Sequence, residues 1–303
     1  MTTPAVSIGL PVYNGEAFLA RALDSLLAQT FADFEIVVSD NASTDATAEI
    51  CAAYAERDPR IRYHRHARNG GAAANYNFTV EMARGAYFKW MAHDDLVAPG
   101  FLQTCMDAFA RAPESVVLSF TKVCWVGVDD EVLKYYDVPI PWDGRDVRSR
   151  VASLLRDRVH SFLHHPYALF GLIRTETLRQ TRLIQSFHSA DRVLLLELAL
   201  RGDFLELPEY LFYRRMHEGN SVLGRNKSAK DVARWYDPRR RPVLVAPRTN
   251  LFFEYGKSLL RAPIPLADKL TCARTLSGAV KRDWRILGRE LETGVRQMLS
   301  PSG

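Results

Sequence analysis

Residues 6–45 read VSIGLPVYNGEAFLARALDSLLAQTFADFEIVVSDNASTD, and this stretch decides the fold. Val6–Val12 is a β-rich run. Within Glu16–Gln29 the apolar residues Phe18, Leu19, Ala22, Leu23, Leu26 and Leu27 recur every three or four positions, which predicts an amphipathic helix. Glu35–Ser39 is a second apolar run, and Asp40 opens the turn-forming Asp-Asn-Ala-Ser-Thr-Asp that follows it. The order is strand, helix, strand.

The alternation continues outward from this unit. Thr44–Arg57 reads as a helix with Ser43 or Asn41 as its cap, Ile61–His66 as a strand, and Ala72–Ala83 as a helix ended by Gly85. Ala86–Ala92 reads as a fourth strand, Pro99–Arg111 as a helix with proline in its first turn, and Val116–Val126 as a fifth strand. This order implies an α/β fold with a mostly parallel sheet and helices on both faces. Such sheets bind ligands outside the carboxyl ends of their strands. Attention therefore falls on Pro11–Asn14, Asp40–Ser43 and His93–Asp95.

The later pattern is less regular. Tyr135–Asp146 reads as a loop, Val147–Arg158 and Ala190–Leu200 as helices, and Phe204–Leu207 and Tyr210–Arg215 as strands. From about residue 226 the pattern is helical and broken by prolines. The expected organisation is one domain over 1–225 in two halves that meet near residue 125, then a helical extension over 226–303.

Bulk composition excludes several classes. The chain has 303 residues, 47% hydrophobic and 25% charged, as a globular protein does. Its 40 Lys and Arg against 35 Asp and Glu give a net charge of +5, with basic clusters such as Arg239-Arg240-Arg241 and Lys281-Arg282 late in the chain. No nucleic-acid reading motif accompanies them, so nucleic acid is not an expected partner. Cys51, Cys105, Cys124 and Cys272 are scattered, which argues against a zinc site or a disulfide framework. The first residues lack a signal-peptide pattern, and no apolar run approaches the roughly 20 residues of a membrane span. The expectation is a cytoplasmic protein whose membrane contact, if any, is peripheral at the inner face, through basic C-terminal helices. Trp235, Tyr236, Phe252, Phe253 and Trp284 are read there as core residues, with an interfacial helix as the alternative.

The adjacent acids Asp94 and Asp95 follow the fourth apolar run. Two neighbouring carboxylates repel unless a cation or hydrogen bonds compensate. Mg²⁺ and Mn²⁺ take such oxygens together with substrate phosphates. The competing reading is acidic capping of the next helix. Asp40 alone reads as a turn residue, and His217 lies in a polar loop beside Arg214 and Arg215, which suit phosphates. Neither G-x-G-x-x-G after the first strand nor G-x-x-x-x-G-K-[ST] occurs, so the usual nicotinamide and P-loop signatures are missing.

Three ordered segments now stand together: Val6–Asn14, Glu35–Asp45 and Lys89–Asp95. Together they resemble the glycosyltransferases of family 2, strongly over about residues 5–125 and more weakly through Phe170–Arg174 and Ser189–Ser221. The resemblance implies a GT-A (Rossmann-like) mixed sheet and an inverting transfer from a UDP- or dTDP-sugar. It implies that Pro11, Tyr13 and Asp40 hold the base, and that Asn14, Glu16, Asn69, Asn77, His93, Asp94 and Asp95 line the nucleotide-sugar site. Asp94 and His217 would bind Mn²⁺ or Mg²⁺, with Asp95 as a further candidate, and Asp191 would be the catalytic base. The acceptor would be a glycan, lipid-linked or other hydroxyl. Ala92, Tyr76 and Ala190 depart from the family's first D-x-D acid, an Arg and the Glu of Glu-Asp. Those departures keep open a nucleotide-sugar-binding protein without catalysis. A nucleotidyltransferase would need a basic Gly-rich loop, and Pro11–Gly15 has no Lys or Arg.

Overall fold

The computed structural model describes residues 3–136, 142, 144, 146–156, 166–219, 234–239 and 246–299. Strands β1 (Val6–Val12), β2 (Phe34–Asp40), β3 (Ile61–Arg65) and β4 (Tyr87–Trp90) alternate with helices α1 (Leu19–Leu27), α2 (Thr47–Arg57) and α3 (Ala72–Glu81). Then come β5 (Leu96–Val97), α4 (Phe101–Arg111), β6 (Val116–Val126), β7 (Val132–Tyr136), α5 (Val147–Arg156), a 3-10 turn at Pro166–Phe170, β8 (Leu172–Arg174), α6 (Thr175–Arg179), α7 (Ala190–Ala199) and β9 (Asp203–Arg215). The helices α8 (Pro247–Arg261) and α9 (Leu266–Leu299) complete the described chain.

Among the described residues one mixed sheet runs β3-β2-β1-β4-β8-β6-β9-β5, with β7 on β6. Pairs β1–β2, β1–β4, β2–β3 and β6–β9 are parallel, whereas β8, β5 and β7 pair antiparallel. The expected mixed, mostly parallel sheet is thus present. β1 and β2 are buried at every position, as strands covered on both faces are. On one face α1 inserts Leu19, Leu23 and Leu26, all fully buried. On the other, α3 lies so close to β1 that a Cβ on Gly9 would stand 2.3 Å from Thr79 Oγ1. Only glycine allows that approach.

Several boundaries moved for physical reasons. The loop before α1 turns on Gly15, whose carbonyl accepts the Phe18 and Leu19 N–H groups, so regular helix begins at Leu19. Asn41 and Ser43 do not cap α2: their side chains take the N–H groups of Gly70 and Asn14. Asp45 instead accepts the Thr47 N–H at 3.1 Å. The two late strands are one, β9, whose register with β6 shifts around Thr121–Val123. The stretch read as a loop from Tyr135 begins inside β7. Asp157 and Arg158, most of 137–145, and Arg240 and Arg241 lie outside the described residues.

The C-terminal helices pack on the domain. Val151 and Leu155 of α5, Leu196 and Leu200 at α7, Leu259 and Cys272 form one apolar cluster. Arg182 pins the junction, reaching Glu197 of α7 and Glu254 of α8 at 2.6 Å each. The aromatic residues divide against expectation: Trp235, Phe253 and Trp284 are exposed, not core. Phe253 lies opposite the α8 face that Arg182 and α7 occupy.

Candidate active site

Because β2, β1 and β4 are parallel neighbours, their carboxyl ends share one edge of the sheet. The loops after β1 and β2 interlock there. Asn14, in a left-handed conformation with φ 51°, donates its N–H to Ser43 Oγ and accepts the Thr44 N–H at 2.9 Å. The Glu16 carboxylate accepts the Ala46 N–H at 3.0 Å. Asp40 is fully buried and accepts from the Ser43 N–H at 2.8 Å and the Tyr63 hydroxyl at 3.0 Å. Pro11 is buried beside it in β1, and Tyr13 projects, 44% exposed. Asn69 joins Asn41 to the Gly71 N–H. Asn77 points elsewhere, exchanging two hydrogen bonds with the Ile184 backbone.

The acids stand beyond β4. The two-residue strand β5 pairs Leu96 with Tyr213 and Val97 with Phe212, which carries the end of β9 alongside the loop. Asp94 Oδ2 then meets His217 Nε2 at 2.9 Å. Asp94 does not cap α4, which has no side-chain cap. Buried Arg215 fixes the loop, giving its Nε to the Asp94 carbonyl and its Nη1 to the Gly127 and Val128 carbonyls. Phe18 is packed between Arg215 and His217, 4.7 Å from the guanidinium and 4.8 Å from the imidazole.

The acids divide electrostatically. Burial presses the Asp94 carboxyl upward, but the His217 hydrogen bond and the charges of His93 and Arg214 outweigh it and hold it low. Burial and the charge of Asp94 push Asp95 up. Asp95 Oδ1 accepts the Arg215 N–H, while Oδ2 is buried with no hydrogen-bond partner among the described residues. Burial also pushes His93 down.

Asp94 and His217 could hold a divalent ion, which would take the place of the proton that joins them at 2.9 Å. One carboxylate oxygen and one imidazole nitrogen suit Mn²⁺. Among the described residues no group of three or more His, Cys, Asp or Glu could hold a metal ion. The remaining positions would therefore fall to phosphate oxygens and water.

Asp191 occupies the first turn of α7, half-buried. It is not the N-cap: Ser189, in a left-handed conformation at φ 66°, holds that place. Tyr76 lies on α3. Burial and the charges of Asp94, Asp95 and Asp191 all push its phenol upward, while Arg214 opposes them. Trp90 fixes that turn of α3 by donating to the Tyr76 carbonyl at 3.1 Å. Tyr236 also senses Asp191 and Tyr76, and its backbone lies against Gly71 at the start of α3. Sequence reasoning gave Phe18 and Tyr236 only as packing residues, because a lone aromatic carries no local signal of what it meets.

The model for glycosyl transferase family 2 matches residues 7–169. The chain belongs to glycosyltransferase family 2. An uncharacterized glycosyltransferase of Rickettsia typhi, RT0329, is 39% identical over 162 residues, covering 54% of this chain and 48% of the relative. The uncharacterized glycosyltransferase EpsJ of Bacillus subtilis is 41% identical over 100 residues, covering 33% and 29%. The chain thus spans half or less of the length of these relatives. The S. aureus protein TarS 1–349, solved with UDP-GlcNAc, superposes with a TM-score of 0.65 at 18% identity, over 92% of this chain and 72% of that one. The mannosyltransferase PcManGT of Pyrobaculum calidifontis, solved with GDP-Man and Mn²⁺, gives 0.53 at 16% identity, over 100% and 89%. At these identities the likeness concerns the fold, which is GT-A.

Proposed function

We propose that this family 2 chain transfers a sugar from a UDP- or dTDP-sugar to an acceptor hydroxyl, with inversion at the anomeric carbon. The observation that supports this reading is the meeting of Asp94 with His217, 2.9 Å apart at the carboxyl-end edge of the sheet. The solved neighbours support a nucleotide-sugar donor, TarS with UDP-GlcNAc and UDP and PcManGT with GDP-Man.

The base and ribose would lie on the β1–β2 edge against Pro11, Tyr13 and Asp40, with Asn14, Glu16 and Asn69 shaping the loops. The diphosphate would point toward His93, Asp94 and Asp95. Asp94 and His217 would hold Mn²⁺ or Mg²⁺, which supplies positive charge to a diphosphate leaving group. Arg214 adds a fixed positive charge beside the acids. Asp191 accepts the acceptor proton as its oxygen bonds to the anomeric carbon. The bond from that carbon to phosphate breaks, and its electron pair leaves with the nucleotide diphosphate. Asn77 is better placed as a clamp between α3 and the Ile184 loop than as a donor contact.

The acceptor would be a glycan, lipid-linked or other hydroxyl in cell-surface or polysaccharide synthesis. No described helix is long and apolar enough to cross a membrane. A cytoplasmic setting is part of the proposal. The test is a panel of nucleotide sugars assayed for release of nucleotide diphosphate with Mn²⁺. Release from one donor, lost in Asp191→Asn, supports transfer. Binding of a donor without any release by the intact chain favours the non-catalytic reading that Ala92 and Ala190 motivate.

A further inference from the structure

The four most exposed large apolar side chains among the described residues lie on the helix pair α8–α9. Leu260 is 77% exposed, Leu266 71%, Trp284 63%, Phe253 62% and Leu270 54%. At the helical repeat Leu266, Leu270, Trp284 and Leu291 fall on one stripe of α9. Phe253 and Leu260, seven residues apart, share one stripe of α8.

Anchoring contacts fix how α9 is turned. Asp268 pairs with Arg148, and Arg282 donates to the Leu155 carbonyl, both on α5. Lys269 reaches the Leu260 carbonyl of α8, and Glu290 takes the N–H groups of Arg248 and Thr249 at the other end of α8. With α5 and α8 on those sides, the exposed stripe of α9 runs beside α8. The two stripes therefore share the outer face of the helical hairpin.

Charge is sorted across the same helices. Residues 247–299 hold ten Lys and Arg against five Asp and Glu. Four of the acids are occupied: Glu254 by Arg182, Asp268 by Arg148, Asp283 by Arg282, and Glu290 by the start of α8. Arg261, Arg274, Lys281 and Arg285 are exposed. Lys257 lies 4.4 Å over the Phe253 ring and Arg285 5.4 Å over that of Trp284. Aromatic rings beneath cationic heads suit an interface that is apolar below and wet above.

We propose that the outer face of α8–α9 docks on an anionic lipid bilayer. Phe253, Leu260, Leu266, Leu270 and Trp284 enter the acyl boundary, and the basic side chains meet the headgroups. Along α9, about 51 Å long, the apolar stripe is bordered by the basic side chains of Arg274, Lys281 and Arg285. A fluid surface can close around that stripe. A two-fold contact with a second copy would bring Arg274, Lys281 and Arg285 against a like-charged face, which is unfavourable. The proposal concerns binding and stands apart from the transfer chemistry.

The test is flotation of the full chain with phosphatidylcholine vesicles with and without phosphatidylglycerol, at low and high salt. The expected result is flotation with phosphatidylglycerol only, weakened by salt. A Leu266→Ser/Leu270→Ser/Trp284→Ser variant and an Arg274→Glu/Lys281→Glu/Arg285→Glu variant should each lose at least about tenfold in binding. These positions are exposed, and unchanged circular dichroism and melting confirm folding. No flotation of the wild-type chain overturns the proposal, as does equal flotation by folded variants. A concentration-dependent dimer in sedimentation that the apolar variant abolishes, without vesicle binding, assigns the face to a second copy instead. None of these readouts depends on donor or activity.

Discussion

At the residue scale the site turns on carboxylates placed in different surroundings. Asp94 is held ionised by His217, His93 and Arg214 despite burial, whereas Asp95 is pushed toward its protonated form. Asp94→Ala is therefore expected to abolish the Mn²⁺-dependent part of UDP binding. Calorimetry with and without Mn²⁺ checks this, and identical affinities in wild type and variant would refute the ligand role. Lys89 makes a pH prediction. Burial pushes its ammonium down to about 7, with Cys105 and Asp95 acting in the opposite direction. Between about pH 7 and the ordinary lysine value of about 10.4 the unfolded chain binds the extra proton, so stability rises with pH across that window. Below about pH 7 the full penalty applies. Lys89→Met lacks this penalty, so its stability relative to wild type should fall as pH rises from 7 to 10. Urea midpoints at several pH values measure it, and a parallel pair of curves would refute it. Asp94, Asp95, Asp191 and His217 were read as candidates from the segments they sit in. Tyr236 was not, because its neighbours Asp191 and Tyr76 are distant in the chain.

At the scale of elements, β5 decides whether the site exists. Its two residues pair with Phe212 and Tyr213 and bring His217 to Asp94. Two residues have no readable period, so only the family resemblance, and not the local pattern, brought His217 to Asp94. The first four strands and three helices were legible because each has a full apolar stripe or run. The antiparallel strands β5 and β8 were too short to register. The extension is held by a different device. Arg182 binds Glu197 and Glu254 where α7 meets α8. Removing one member of a buried ion network leaves charges uncompensated, so Arg182→Ala should cost about 3 kcal/mol or more. Chemical denaturation measures this, and a loss well under 1 kcal/mol would mean that solvent replaces the arginine freely.

At the scale of the molecule, one sheet edge collects the loops after β1, β2 and β4, while β9 and α7 deliver His217 and Asp191 from the second half of the chain. That the terminal helices pack, through Leu259 and Cys272 against Val151, Leu155 and Leu196, could not be read from a sequence whose helical faces are apolar on more than one side. Packing uses one stripe of α9 and leaves the other outward, which is why Trp284, expected in the core, is exposed. Whether Asp191 and the Asp94–His217 pair serve one transfer reaction is read from the rate of nucleotide-diphosphate release in Asp191→Asn, measured with the donor the wild-type chain turns over and at donor saturation. The expected result is a fall of at least about 100-fold with donor affinity unchanged. Release at close to the wild-type rate would refute the role of Asp191.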